Sequence, residues 1–141
     1  MLNKIKVMLD EGAKMPQFAH EWDGGMDLFA AERKVVRAND FEVIETGVHI
    51  EIPEGCVGLI TSKSGLMAKN GLTCRGTIDS HYTGSIKAVI FNHSKRDYIF
   101  QKGDKVTQLL ILRCEHPELV LVDELEDTDR GTGGFGSTGL R

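Results

Sequence analysis

The chain has 141 residues, 40% hydrophobic and 27% charged, with a formal net charge of −4, which suits one domain with its own core. No stretch approaches the roughly 20 consecutive apolar residues of a spanning helix, and the net acidity argues against direct binding of nucleic acid. Residues 1–10 alternate lysine with aliphatics and hold no apolar signal core, so a cytoplasmic protein without a membrane partner is expected. Cys56, Cys74 and Cys114 lack the spacing of a disulfide framework or zinc site and are expected to be reduced. Charge is uneven: residues 61–105 carry eight Lys and Arg against three acids, whereas residues 114–129 carry seven acids and no Lys or Arg. An anionic ligand on an acidic protein fits that distribution.

Apolar residues recur with period two between Gly, Asn and Asp interruptions, the pattern of a β-sandwich or barrel with little helix. Residues 1–10 read as a strand. Asp27 follows, between Met26 and Leu28 at the start of another strand. It faces water from an edge strand, or it points inward and needs an ionic partner or a metal. Val48, Ile50 and Ile52 alternate with polar residues, and Pro53, Glu54 and Gly55 turn the chain toward residues 57–60, as in a hairpin. Residues 64–70 are the one expected helix, with Ser64 as N-cap and Gly71 as its stop. The same stretch, Lys63, Ser64 and Gly65, offers a charge, a hydroxyl and free N–H groups to a phosphate.

Residues 76–86 read as a strand, a tight turn and a return strand. Asp79 and Tyr82 can face one pocket across the turn, where a carboxylate would take a proton from water; otherwise they are a turn cap and a half-buried aromatic. Residues 86–91 and 106–112 are apolar on both faces, as in interior strands or subunit contacts, and Gln108 needs partners if buried. Periodicity is lost after Val122, which divides the chain into a core, 1–122, and a flexible arm, 123–141. Five of the 16 glycines fall in residues 131–139. A bare tail has no use for Phe135, whereas a lid over an anionic ligand uses an aromatic, Arg130, the hydroxyls of Ser137 and Thr138, and N–H groups bared by glycine.

Taken in order, these clusters resemble the five motifs of the trimeric deoxyuridine triphosphatases (dUTPases). The most specific are Gly-Thr-Ile-Asp-x-x-Tyr-x-Gly-x-Ile at 76–86 and Arg-Gly-x-Gly-Gly-Phe-Gly-Ser-Thr-Gly at 130–139. The resemblance implies an all-β, jelly-roll-like barrel and a homotrimer with sites at subunit interfaces. It also implies Mg²⁺-dependent cleavage of dUTP to dUMP and pyrophosphate. By it, Asp79 is the general base and Tyr82 excludes a 2′-hydroxyl. Backbone around Gly76, Thr77, Ile78 and Lys87 reads uracil. Asp27 holds a water of the Mg²⁺ shell, and Lys63, Ser64, Gly65 and Gln108 bind phosphate. From the arm, Phe135 stacks on uracil, Arg130, Ser137 and Thr138 grip the outer phosphates, and Gly136 counts among the substrate-binding residues. A regulatory protein partner is a role of some phage members.

Ser62 and Lys63 stand where the family has Pro-Arg, which keeps the charge and loses the bidentate fork. Residues 70–75 form a slightly shorter segment than the family's, which leaves open whether Thr73 or Cys74 lines the uracil pocket. His81, in place of the commoner acid, is expected to be a solvent-facing turn residue. A related dCTP deaminase would need a glutamate on the strand after the hairpin, and residues 86–92 hold no acid.

Overall fold

The structure, a computed structural model, describes residues 4–135 and 137–139. The alternating segments form β1 (Val7–Leu9), β2 (Met26–Phe29), β3 (Lys34–Val36), β4 (Phe41–Glu45), β5 (Val48–Ile50), β6 (Cys56–Thr61), β7 (Leu72–Ile78), β8 (Lys87–Asn92), β9 (Tyr98–Phe100) and β10 (Lys105–Arg113), with α1 (Ser64–Asn70) between β6 and β7. Six strands make one curled antiparallel sheet in the order β2-β10-β6-β7-β8-β4, and β1-β5 and β3-β9 add two-stranded ribbons. The expected all-β jelly roll is the fold found. Among the described residues no helix is long and apolar enough to cross a membrane.

Side chains from both ribbons and the large sheet meet in one core, in which Leu28, Ile44, Ile86, Phe100 and Leu109 are fully buried. Each buried aliphatic contributes about 1.5–3 kcal/mol, so the core fixes the register of the strands that carry polar residues. The three cysteines are free thiols, and burial pushes the Cys74 thiol above its ordinary pKa.

The structure departs from the sequence reading in four places. β5 and β6 are not a hairpin: β5 pairs with β1, and β6 pairs with β10 and β7. The break comes at Ile52, whose N–H turns back to the Ile50 carbonyl before Pro53, and at Gly55, which takes a positive φ of 70°. Ser64 does not cap α1; Lys63 occupies the cap position and makes no side-chain capping bond. Gly71 does end the helix, at φ 66°. The turn in 76–86 is not tight, because β7 and β8 pair only over Leu72–Cys74 against Ile90–Asn92. The last strand closes at Arg113, and the apolar run that follows is uncovered, with Leu121 99% exposed.

Candidate active site

Register places the polar side chains. Asp27 on β2 lies opposite Gln108 on β10, Gln108 opposite Thr61 on β6, and Thr61 opposite Arg75 on β7. Directly opposed residues share a face, so one row across four strands carries a carboxylate, an amide, a hydroxyl and a guanidinium. Lys63 follows β6 and Lys105 opens β10, and both reach back to this row. Three clusters far apart in sequence thereby meet at one end of the sheet.

Asp27 is 1% exposed. Lys63 Nζ donates to its Oδ1, and Lys105 Nζ lies 2.7 Å from its Oδ2. Burial by itself pushes this carboxyl up, but the two ammonium groups outweigh it and hold Asp27 below its ordinary value of 3.8. One charge set against two leaves the cluster net positive, which suits a phosphate. Lys105 was not among the residues the sequence reading singled out. No spacing links it to Asp27; only the antiparallel register of β10 with β2 does. Oδ2, despite its ion pair, is the one buried side-chain atom among the described residues without an aligned hydrogen-bond partner.

The chain between β6 and α1 is fixed by Ser62, whose hydroxyl accepts from Cys74 N–H at 2.8 Å and donates to Cys74 C=O at 3.0 Å. These bonds prolong the β6–β7 pairing by one step after its last backbone pair, Thr61 and Arg75. With Ser62 held on β7 and Lys63 on Asp27, tertiary contacts start the helix, and the Ser64 side chain and Gly65 are left exposed.

On the opposite edge of β7 the ladder with β8 stops at Cys74 and Ile90. Beyond it β7 and β8 are no longer paired, while β8 keeps its pairing with β4 on its other edge as far as Lys87 and Glu45. The wedge so opened has backbone of Gly76, Thr77 and Ile78 on one side and Lys87 on the other. Backbone edges suit a planar base with donors and acceptors on its rim. Thr73 and Cys74 lie in the paired stretch, short of the wedge.

Asp79 and Tyr82 stand in the connecting loop, and both are exposed. Tyr82 N–H donates to the Asp79 carbonyl at 3.3 Å, and Tyr82 Oη donates to the Ser85 carbonyl at 3.0 Å. The Ser85 hydroxyl bonds Glu45, whose other oxygen is 3.5 Å from Lys87 Nζ. Gly84 is obligatory for this arrangement, because a Cβ there would overlap the phenol of Tyr82. His81 takes a left-handed φ of 69° on the solvent side, as a turn residue does.

Asp79 lies four residues beyond Arg75, about 13 Å along the strand direction at a strand's rise, so one chain does not bring Asp79 and Tyr82 to the Asp27 row. Nor do the described arm residues hydrogen-bond to either. Arg130 Nε donates to Gly133 C=O at 3.1 Å within the arm itself. Phe135, Ser137 and Thr138 are exposed, and Gly136 lies outside the described residues.

A family model described as dUTPase matches residues 11–139. A deoxyuridine 5′-triphosphate nucleotidohydrolase of Clostridium acetobutylicum is 41% identical, covering 100% of this chain and 99% of the relative. One of Paramecium bursaria Chlorella virus 1 is 43% identical over 99% of this chain and 100% of its own. Among solved structures, a Staphylococcus bacteriophage 80alpha dUTPase with dUPNHPP superposes with a TM-score of 0.92 at 34% identity, over 99% of this chain and 100% of that one. A phage phi11 dUTPase variant, described with a structural Mg(II) ion, gives 0.82 at 34% identity, over 89% and 100%.

Proposed function

The chain belongs to the dUTPase family, and on that premise we propose that it hydrolyses dUTP to dUMP and pyrophosphate by in-line attack of water on the α-phosphorus. Such an activity limits incorporation of uracil into DNA and supplies dUMP for dTMP synthesis. The observation that carries the reading is the wedge between β7 and β8, with Asp79 and Tyr82 at its mouth. Uracil enters the wedge and pairs with the backbone of residues 76–78 and 87. A methyl at its 5-position would meet the closing strands. The Tyr82 ring packs beneath the deoxyribose and leaves no space for a 2′-hydroxyl. Asp79 orients the attacking water and takes its proton; as the new O–Pα bond forms, the Pα–O bond to the leaving pyrophosphate breaks, and Asp79 then gives the proton up to solvent.

The triphosphate is held by the other half-site: Ser64 and Gly65 at the bond being cleaved, Gln108 beside them, and Lys63 with its neighbour Lys105. The separation of the two halves in one chain supports a composite site, and we assign it to a homotrimer in which one subunit supplies the Asp79 loop and another the Asp27 row. The exposed apolar run ending at Val122 is a surface such an assembly would cover. Residues 123–141 then act as a lid that excludes bulk water. Phe135 lies on the base, and Arg130, Ser137 and Thr138 lie on the outer phosphates.

A divalent cation fits this site through water and no closer. No group of three His, Cys, Asp or Glu among the described residues could hold a metal directly, whereas the unaligned Asp27 Oδ2 has acceptor capacity for one water of a Mg²⁺ shell. The ion would supply charge to the phosphates.

Pyrophosphate release measured across dUTP, dCTP, dTTP and UTP tests the reading. Release from dUTP alone is the expected result. Ammonia from dCTP would replace it with deamination, which the acid-free β8 does not support.

A further inference from the structure

The loop that carries Asp79 and Tyr82 is held from behind by a residue in none of the motifs. His49 on β5 turns Nδ1 to the carbonyl oxygen of Thr83 at 2.8 Å and Nε2 to Asp10 Oδ1 at 3.1 Å. Both partners can only accept. A neutral imidazole has a single N–H and satisfies one of them, leaving a lone pair against the oxygen of the other; the imidazolium satisfies both. The side chain is 17% exposed, at the wall of a cleft of about 320 Å³ that also meets Met8, His81, Tyr82 and Thr83.

The charges around the ring favour its proton. Asp10, after β1, and Glu45, at the end of β4, both face it. The lysines nearby are engaged with acids, Lys6 with Glu51 at 2.9 Å and Lys87 with Glu45 at 3.5 Å, and the His81 ring lies 3.4 Å from Glu54. The bond to Thr83, aided by Asp10 and against the effect of burial, holds His49 above its ordinary value of 6.5.

We propose that His49 is a positioning residue: its protonated ring straps the Tyr82–Thr83 corner to the β1–β5 ribbon, so that Tyr82 stands ready for the deoxyribose. This rests on the assignment of Tyr82 to the sugar. Thr83 follows Tyr82 directly, and the Tyr82 hydroxyl is anchored two residues further on, so the ring is held between two fixed peptides. The strap is complete below pH 6.5, and one of its two bonds is lost as pH rises through the higher value of the folded protein. With a single N–H shared between Thr83 and Asp10 the corner loosens and nucleoside binding weakens, while Asp79 and the phosphate half-site are unchanged.

The test joins a nuclear magnetic resonance titration of the His49 ring in the full chain with KM and kcat for dUTP against pH. It uses the wild type, His49→Gln, and Asp10→Asn, whose side chain is exposed and safe for folding. In the wild type the ring titrates above 6.5, and KM rises about fivefold across that titration, the worth of one net hydrogen bond. Asp10→Asn moves the ring titration and the KM rise together to lower pH. His49→Gln shows no such rise, and kcat follows one pH curve in all three proteins. A ring titrating at or below 6.5, or a KM rise that Asp10→Asn does not move, overturns the strap. If dUTP is not hydrolysed at all, the function falls, and the ring titration still decides the strap.

Discussion

Ser62 and Cys74 close a two-way clasp, in which one hydroxyl accepts from and donates to a single residue of the neighbouring strand. Cys74 is buried, so its N–H has no water to turn to. Ser62→Ala should lower stability by about 1–3 kcal/mol, read as a shift in urea midpoint. The KM for dUTP should rise as well, since the clasp sets where Lys63 and Ser64 begin. Wild-type midpoint and KM would show that the loop is held elsewhere.

Asp27 contributes stability that acid removes. Its folded pKa lies below 3.8, so its contribution is present above that value and is lost as pH falls through the lower one. Asp27→Asn leaves Lys63 and Lys105 without their counter-charge and should cost about 3–5 kcal/mol at neutral pH. It should also remove that part of the acid loss, which unfolding midpoints taken at neutral pH and below pH 3.8 would measure.

Asp79→Asn keeps shape and removes the base. The expected outcome is a fall in kcat of about 10²–10⁴-fold with KM near normal. Single-turnover kinetics separate this from a binding defect, and near-normal kcat would take Asp79 out of the proton transfer.

Tyr82→Ala should relax preference for dUTP over UTP by about tenfold to a hundredfold, the usual scale for rejecting an added hydroxyl. Gly84→Ala makes a subtler test, because its Cβ would push the phenol aside without altering the ring itself. Competition assays should show a smaller change in the same direction; unchanged selectivity in both variants would move sugar sensing to another residue.

Deletion of residues 130–141 should leave the oligomer intact and lower kcat/KM by about 10²-fold, as expected when positioning groups are removed. Light scattering and pyrophosphate release report the two halves of the claim separately. Full activity would exclude the lid.

Much of the fold was legible in local pattern. Alternation across residues 48–50 and the doubly apolar run at 106–112 mark strands that the structure contains, and Gly71 marks the end of the helix, because side-chain pattern and left-handed stops are local properties. What failed depended on distant partners. The apparent hairpin at 48–60 is split between two sheets. The expected Ser64 cap is replaced by the hold of Ser62 on Cys74 and of Lys63 on Asp27.

Spacings within 76–86 and 130–139, too specific for chance, already carry the family in the linear chain, and with it an all-β core and a deoxynucleotide chemistry. Local pattern did not show how Asp27 is neutralised, that β7 and β8 part beyond Cys74 and Ile90, or that the Asp79 loop and the Asp27 row stand apart in one chain. The reason is register: which residue of one strand faces which residue of another is settled by packing of the whole core, and 27, 63 and 105 become neighbours only once β2, β6 and β10 are laid side by side.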